Sequence, residues 1–150
     1  MLKVGEFLPQ FEGINQDGKT IKSEALKGQK LVIFFYPKAN TPGCTAEACN
    51  LSDNILELKK AGYTLLGISA DSVEKQKKFH DKFSFKYDLI ADESRVICEQ
   101  FGVWQLKKFM GKEFMGIVRT TFIFDENAIC TRVIEKVKTK EAATQILSED

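Results

Sequence analysis

The sequence contains a single histidine, which leaves little room for chemistry that depends on an imidazole base. His80 lies in a polar stretch of helical character, residues 77–82, so we expect a solvent-exposed side chain without a catalytic role. A cysteine hydrolase needs an imidazole close to its thiol. The sequence therefore argues against that class of enzyme.

The net charge is close to zero, and the apolar segments are short. The formal net charge of +1 gives no electrostatic reason to expect a nucleic acid or an anionic membrane as a partner. The longest apolar run, Leu31–Tyr36, is far shorter than a membrane span, and the first ten residues lack the apolar stretch of a signal peptide. We therefore expect a cytoplasmic protein, in which cysteines stay reduced.

Cysteine pairs of the familiar kinds are absent. The sequence has four cysteines, but no C-x₂-C pair of the type that binds zinc and no C-x-x-C redox dithiol. Gly111 and Gly116 have the spacing of a P-loop, yet no Lys-Ser/Thr follows them, so we do not expect a nucleotide site. The individual cysteines are the remaining candidates for chemistry.

Domain boundaries are missing as well, and residues 1–150 are expected to form one domain. Asp17-Gly18 between apolar stretches predicts an N-terminal β-hairpin within residues 7–22. Further predicted elements are a strand at 31–36, a helix from 42 to about 60, a strand at 63–70, a helix at 73–83, a short strand at 89–90, a short helix at 93–101, a hairpin of strands 120–124 and 129–137, and a helix at 140–147. This order predicts an α/β protein with a thioredoxin-like fold, a central mixed sheet flanked by helices.

We expect the aromatic residues Phe101, Trp104 and Phe109 in the core or in a pocket wall.

Cys44 differs from the other cysteines because of where its helix is predicted to begin. Thr41 is a candidate helix cap and Pro42 suits the first helical position, which places Cys44 in the first turn. Exposed backbone N–H groups and the positive end of the helix dipole stabilise a thiolate there. We predict that Cys44 is a nucleophile, and that Cys98 and Cys130, which lie in apolar periodic segments, are buried without a chemical role.

Cys49 follows five residues later on the same predicted helix. On an ideal helix, residues with this spacing have Cα atoms ~8.7 Å apart and point ~140° away from each other. A disulfide requires Cα atoms within about 7 Å. Either the two cysteines are unrelated, or the first turns of the helix must unwind. Cys44 lies on the inward stripe and Cys49 lies off it, which suits a buried reactive thiol and a more exposed partner.

The segment Pro37-Lys-Ala-Asn-Thr41-Pro-Gly-Cys44 matches Pro-x-x-x-Thr-x-x-Cys, the signature of the peroxiredoxins. The extension to Cys49 looks like the subfamily of bacterioferritin comigratory protein, also called peroxiredoxin Q. The similarity covers nearly the whole chain and includes Arg119-Thr-Thr-Phe122.

This resemblance implies a role for each matching residue. Cys44 corresponds to the peroxidatic cysteine and Cys49 to the resolving cysteine. The Thr41 hydroxyl is implied to contact sulfur and peroxide, Pro37 to shield the pocket, and Arg119 to steady the thiolate and the peroxide oxygens. An arginine suits that last role because its planar, permanently charged fork can hold two oxygens at once.

The implied activity is the reduction of hydrogen peroxide and organic hydroperoxides through a Cys44 sulfenic acid and a Cys44–Cys49 disulfide. Thioredoxin or a similar dithiol is the implied reductant, no metal, haem or flavin is required, and a monomer is expected. The alternative is a redox sensor or holdase that uses the same thiols without turnover. Turnover at low peroxide with an electron donor distinguishes the two.

Overall fold

The computed structural model describes residues 1–148, which are organised around a mixed β-sheet. The strands are β1 (Glu12–Asn15), β2 (Thr20–Lys22), β3 (Lys30–Phe35), β4 (Tyr63–Ser69), β5 (Asp88–Ala91), β6 (Trp104–Phe109), β7 (Lys112–Ile117), β8 (Thr120–Phe124) and β9 (Cys130–Ile134). The helices are α1 (Pro42–Asp53), α2 (Ile55–Lys60), α3 (Val73–Phe83), α4 (Val96–Phe101) and α5 (Ala142–Leu147).

Seven of these strands form the main sheet, in the order β2-β1-β5-β4-β3-β8-β9. Strands β3, β4 and β5 are parallel, and the flanking pairs are antiparallel. Residues 31–35 of β3 form a continuous apolar run because both faces of the strand are covered. Val32 and Phe34 pack toward α1, α2, α3 and α5, whereas Ile33 and Phe35 pack toward α4. The predicted α/β architecture with a central mixed sheet and an N-terminal hairpin is confirmed.

The sheet brings two distant parts of the sequence together at one edge. Strand β3 ends at Phe35, and α1 begins a few residues later. Strand β8 runs antiparallel to β3, and its first residue, Thr120, pairs with Phe35. Arg119 therefore lies at the carboxyl end of β3, next to the start of α1.

The predicted helix from 42 to about 60 is wrong in one respect, because it is two helices. Asn54 interrupts it with a backbone outside the helical region, at φ −104° and ψ 19°. The Asn54 side-chain amide donates to the Asn50 carbonyl at 2.8 Å, and its backbone N–H bonds the same oxygen at 3.2 Å. This local competition for a helical carbonyl ends α1, and α2 starts at the next residue, Ile55.

A second hairpin, formed by β6 and β7, was not predicted. Its turn, Met110-Gly111, has positive φ at both residues, 52° and 79°. That conformation is usually found at Asn-Gly or Asp-Gly. Because methionine occupies the first of the two positions here, the sequence did not indicate a turn. Phe101 is buried and Trp104 half-buried, as expected, but Phe109 is 67% exposed near the hairpin tip, so its predicted core or pocket-wall position is wrong.

Other differences concern the ends of elements. Helix α4 begins at Val96, not at 93, because Asp92 accepts hydrogen bonds from the Ile97 and Cys98 N–H groups. Strand β5 is one residue longer at each end than predicted, β9 stops at 134, and α5 starts at 142 after a 3₁₀ turn. None of the helices within residues 1–148 has the length and apolar character needed to cross a bilayer.

Candidate active site

The first turn of α1 presents Cys44 at the edge of the sheet. Thr41 is the N-cap residue, with an extended backbone, and Pro42 and Gly43 are the first two helical residues. Cys44 is therefore the third, as predicted, and it is only 2% exposed. Within residues 1–148, no side chain accepts a hydrogen bond from the Gly43 or Cys44 N–H, so these groups remain free for a bound oxygen.

Arg119 joins this turn from the loop between β7 and β8. Its Nη2 lies 3.3 Å from Cys44 Sγ, and its Nη1 donates to Glu47 Oε1 at 2.7 Å. A Cβ atom at Gly43 would lie 3.2 Å from the same Nη2, so glycine leaves the space that the guanidinium occupies. The structure thus brings Cys44 and Arg119 together, 75 residues apart in sequence.

Glu47, which sequence reasoning missed, completes this cluster. It lies one turn after Cys44 on α1 and its side chain is fully buried. Burial raises the pKa of Glu47 to about 7, because desolvation outweighs the opposing effect of the Arg119 guanidinium. Burial lowers the pKa of Arg119. The Cys44 sulfur and the Glu47 carboxylate together raise it by more than burial lowers it, so the net shift is upward. A carboxylate on the inward stripe of the helix was the available sequence signal.

Thr41 belongs to this turn, whereas Pro37 lies in the loop that leads to it from β3. The Thr41 hydroxyl donates to the Lys38 carbonyl at 2.8 Å, and its carbonyl accepts from the Thr45 N–H at 2.8 Å. Thr41 therefore begins the helix through its backbone, and its hydroxyl is directed to Lys38, not to the sulfur. Pro37 lines a cleft of about 360 Å³, together with Trp104 and other residues of the second hairpin.

A buried polar network supports the loop between β3 and α1. Tyr36 donates to Gln76 Oε1 at 2.5 Å, and Gln76 Nε2 donates to Ser69 Oγ at 2.9 Å. Asp71 Oδ2 accepts from the Ser69 hydroxyl at 2.7 Å and from the Ala39 N–H at 2.8 Å. Sequence reasoning missed this network, although a glutamine on the apolar stripe of α3 is a signal of a buried hydrogen-bonded residue.

Cys49 lies further along α1 and is half-buried, more accessible than Cys44, as predicted. All four cysteines are free, and α1 is continuous through both positions. Burial raises the pKa of Cys49, and the carboxylate of Asp53 adds to this. The adjacent carbonyl, that of Ala48, accepts a hydrogen bond from the Tyr87 hydroxyl at 2.6 Å.

The remaining candidates lie in apolar surroundings. Cys98 and Cys130 are buried, as predicted, and burial raises the pKa of both thiols, to about 11 for Cys130. The predicted solvent exposure of His80 is wrong, because its side chain is only 21% exposed and its Nε2 lies 3.1 Å from the Tyr87 carbonyl oxygen.

Comparison with known proteins assigns the chain to a family. Residues 4–133 match the AhpC/TSA family. The chain is a peroxiredoxin. It is 44% identical to peroxiredoxin Bcp of Escherichia coli K12, over 98% of this chain and 94% of the relative. It is 38% identical to peroxiredoxin Bcp of Bacillus subtilis, over 97% of this chain and 93% of the relative. The predicted resemblance is confirmed.

Solved peroxiredoxin structures confirm the thioredoxin-like fold. Peroxiredoxin Q of Xanthomonas campestris superimposes with a TM-score of 0.86 at 34% identity, covering 91% of this chain and 87% of that one. Peroxidoxin BcpB of Mycobacterium tuberculosis gives a TM-score of 0.86 at 35% identity, covering 98% and 95%. The X. campestris bacterioferritin comigratory protein, with a TM-score of 0.85 at 34% identity over 91% of this chain and 87% of that one, has been described for its alkyl peroxide reduction activity. Membership of this family makes the chain a thiol peroxidase.

Proposed function

We propose that this peroxiredoxin reduces hydrogen peroxide and organic hydroperoxides with Cys44 as the peroxidatic thiol and Cys49 as the resolving thiol. The observation that supports this most directly is the 3.3 Å approach of Arg119 Nη2 to Cys44 Sγ at the start of α1. A guanidinium and free helix N–H groups around one sulfur favour its thiolate and can also hold a peroxide oxygen. The activity of the X. campestris relative toward alkyl peroxides supports the organic substrates.

In the first step, the Cys44 thiolate attacks the nearer oxygen of the hydroperoxide. An S–O bond forms, the O–O bond breaks, and the products are a sulfenic acid and an alkoxide, or hydroxide, that takes a proton from solvent. Glu47 fixes one side of the Arg119 fork, so the other side stays directed at the sulfur and the leaving oxygen. Glu47 is therefore a positioning residue.

In the second step, the Cys49 thiol condenses with the sulfenic acid, which forms a disulfide and releases water. An intact helix holds residues with this spacing ~8.7 Å apart at Cα, beyond disulfide reach. The first turns of α1 must therefore unwind, and the hydrogen bond between Tyr87 and the Ala48 carbonyl must be released.

In the third step, an external dithiol reduces the disulfide by thiol exchange and is itself oxidised to a disulfide. We take thioredoxin as this donor. We propose that the chain works in a reducing cytoplasm as a monomer without a cofactor.

Mass spectrometry after one equivalent of hydrogen peroxide tests this mechanism. The parent protein should lose two hydrogens and yield a Cys44–Cys49 linked peptide. Cys49→Ser should stop at a sulfenic acid on Cys44, which dimedone traps. Sulfenic acid on another cysteine, or a disulfide to Cys98 or Cys130, would contradict the assignment. Consumption of many equivalents of peroxide with a thioredoxin system would exclude a sensor without turnover.

Amide hydrogen exchange tests the unwinding step. Protection across residues 44–52 should collapse in the oxidised protein and return with reductant, because the helical hydrogen bonds must open for the disulfide to form. Equal protection in both states, in a sample whose Cys44–Cys49 disulfide is confirmed by mass, would contradict unwinding.

A further inference from the structure

A basic cavity of about 530 Å³ lies directly beside the loop that leads into α1. Lysines from that loop and from one face of α3 surround it, and we call this surface the lysine cleft. Its lining consists of Lys38, Ala39, Asn40, Asp71, Lys75, Lys78, Phe79 and Lys82. No step of the peroxidase chemistry proposed above uses these lysines.

The lysines of α3 divide into two groups with different partners. Lys77 points away from the cleft and is paired with Asp17 at 2.8 Å and Asp81 at 3.3 Å. Lys75, Lys78 and Lys82 follow a helical spacing that puts them on one face. Lys78 pairs with Glu74 at 3.3 Å, whereas Lys38, Lys75 and Lys82 have no carboxylate within 4.0 Å among residues 1–148.

Among residues 1–148, Asp71 is the one carboxylate in the cleft lining, and its charge can offset only one of the four lysines there. Asp71 is 8% exposed. Its Oδ2 accepts hydrogen bonds from the Ala39 N–H and the Ser69 hydroxyl, and these bonds hold the loop between β3 and α1. The whole chain carries a net charge of only +1. The positive charge at this cleft is therefore a local excess, which the overall composition hides.

The lysine cleft is connected to the segment that must open during turnover. Lys82 Nζ donates to Asn40 Oδ1 at 3.4 Å, one residue before the N-cap of α1. The cleft residue Phe79 packs against Phe85 with ring centroids 4.8 Å apart, and Phe85 stacks on Tyr87 at 5.6 Å. Tyr87 in turn bonds the carbonyl next to Cys49. A partner seated on the cleft would lie beside the redox helix.

We propose that the lysine cleft docks an acidic surface of the dithiol protein that reduces the Cys44–Cys49 disulfide, an inference that rests on the proposed function. A donor thiolate attacks one sulfur of the disulfide, a mixed disulfide forms and one thiolate leaves. The second donor thiol then displaces the other, so two electrons pass to the cysteines and the donor becomes a disulfide. Unpaired, exposed lysines attract an anionic partner and accelerate its docking.

Charge removal on α3 tests this assignment. The triple variant Lys75→Gln, Lys78→Gln, Lys82→Gln is compared with the matched variant Lys3→Gln, Lys19→Gln, Lys136→Gln, which removes the same charge from exposed lysines outside the cleft. The donor is a thioredoxin of acidic pI, kept reduced by its reductase and NADPH. We expect kcat/KM for thioredoxin to fall roughly tenfold in the cleft variant at low ionic strength, and this difference to vanish at about 0.5 M salt. The control should stay within about twofold of the parent.

Two further measurements separate docking from chemistry. Oxidation of Cys44 by hydrogen peroxide and reduction of the disulfide by uncharged dithiothreitol should be equal in parent and cleft variant. Equal thioredoxin kinetics in the two triple variants would overturn the docking proposal, and so would a lysine dependence seen only with glutathione, a small anionic thiol. If peroxide does not oxidise Cys44 in the parent, the proposed function fails instead.

Discussion

Cys44 and Cys98 occupy equivalent positions on two different helices. Each is the third residue of its helix, α1 for Cys44 and α4 for Cys98, and each is almost fully buried. Both helices present their N-terminal dipole to the sulfur. If position at a helix start were enough to make a reactive thiol, the two cysteines would be alike.

Their neighbours give the two sulfurs different electrostatic surroundings. At α4, Asp92 accepts from the Ile97 and Cys98 N–H groups at 3.2 and 2.8 Å, and burial together with this carboxylate raises the pKa of the Cys98 thiol. At α1, the equivalent N–H groups have no side-chain acceptor among residues 1–148, and Arg119 lies against the sulfur. The comparison teaches that two helix starts with equally buried sulfurs can differ in whether their amides are free and in the sign of the nearest charge, and this difference is why we propose Cys44 and not Cys98 as the reactive thiol.

The largest effect should come from replacing the two sulfurs in turn. Cys44→Ser should abolish peroxidase activity, because a hydroxyl cannot be oxidised and resolved in this way. Cys98→Ser should keep near-parent turnover, with a stability cost of about 1–3 kcal/mol for a hydroxyl in apolar surroundings. Steady-state peroxide consumption and thermal melts measure both. If Cys44→Ser kept some turnover, and if adding Cys98→Ser removed it, Cys98 would also be reactive. The proposed distinction between the two cysteines would then be wrong.

The next largest effect should come from Arg119→Lys. The positive charge remains, but an ammonium cannot bond Glu47 and the reacting atoms at once, so the second-order rate with peroxide should fall roughly 10- to 100-fold. Stopped-flow oxidation of the reduced protein measures this rate. Arg132→Lys is the matched control, since that guanidinium bonds the Gln145 and Ile146 carbonyls and does not contact Cys44. Equal loss in both variants would remove Arg119 from the chemistry.

The sequence predicted Cys44 correctly as a first-turn residue because the evidence for a helix start is local. A candidate cap and a proline at the first helical position lie next to it in sequence. Helix α3 was predicted over the observed residues, and the structure shows that a neighbouring residue, Ser72, caps it through a hydrogen bond from the Lys75 N–H. Local signals of this type need no knowledge of tertiary structure.

The parts that could not be predicted depend on contacts between distant segments. Glu47 belongs to the proposed site only because Arg119, which lies 72 residues later in the sequence, donates a hydrogen bond to it. The burial of Gln76 is explained by Tyr36 and Ser69, which come from two different strand ends. The resemblance to peroxiredoxins supplied Arg119, but it did not supply the carboxylate that orients it.

A smaller effect should come from replacing Tyr87, and it concerns how readily the start of α1 unwinds. Tyr87→Phe removes the hydrogen bond to the Ala48 carbonyl, worth ~1 kcal/mol, from the segment that must unwind. Disulfide formation after Cys44 oxidation should become roughly fivefold faster, while the initial reaction with peroxide stays unchanged. Rapid quench with alkylation separates the two steps. Tyr63→Phe is the control, and an equal acceleration there would mean that the Tyr87 contact does not restrain α1.

A further effect concerns the carboxylate at the α1 start, and it should appear as a pH dependence of stability. The pKa of Glu47 is raised to about 7 in the folded protein, chiefly by burial, from an ordinary value of 4.5. Between these values the folded protein binds more protons than the unfolded chain, so the stability contributed by this group decreases as pH rises. It is fully present below pH 4.5 and is lost through about pH 7.

Glu47→Gln, which cannot ionise, should remove this slope. Relative to the parent, the variant should gain up to about 1.4 kcal/mol per pH unit across the window, or roughly 3 °C in Tm. Melting curves between pH 4 and 8 measure the difference. Glu57→Gln, at an exposed position on α2, should give curves parallel to the parent. Parallel curves for Glu47→Gln as well would show that Glu47 is already ionised at low pH. Its pairing with Arg119 would then outweigh burial, and the contrast between the two helix starts would have to count a charged carboxylate at the α1 start.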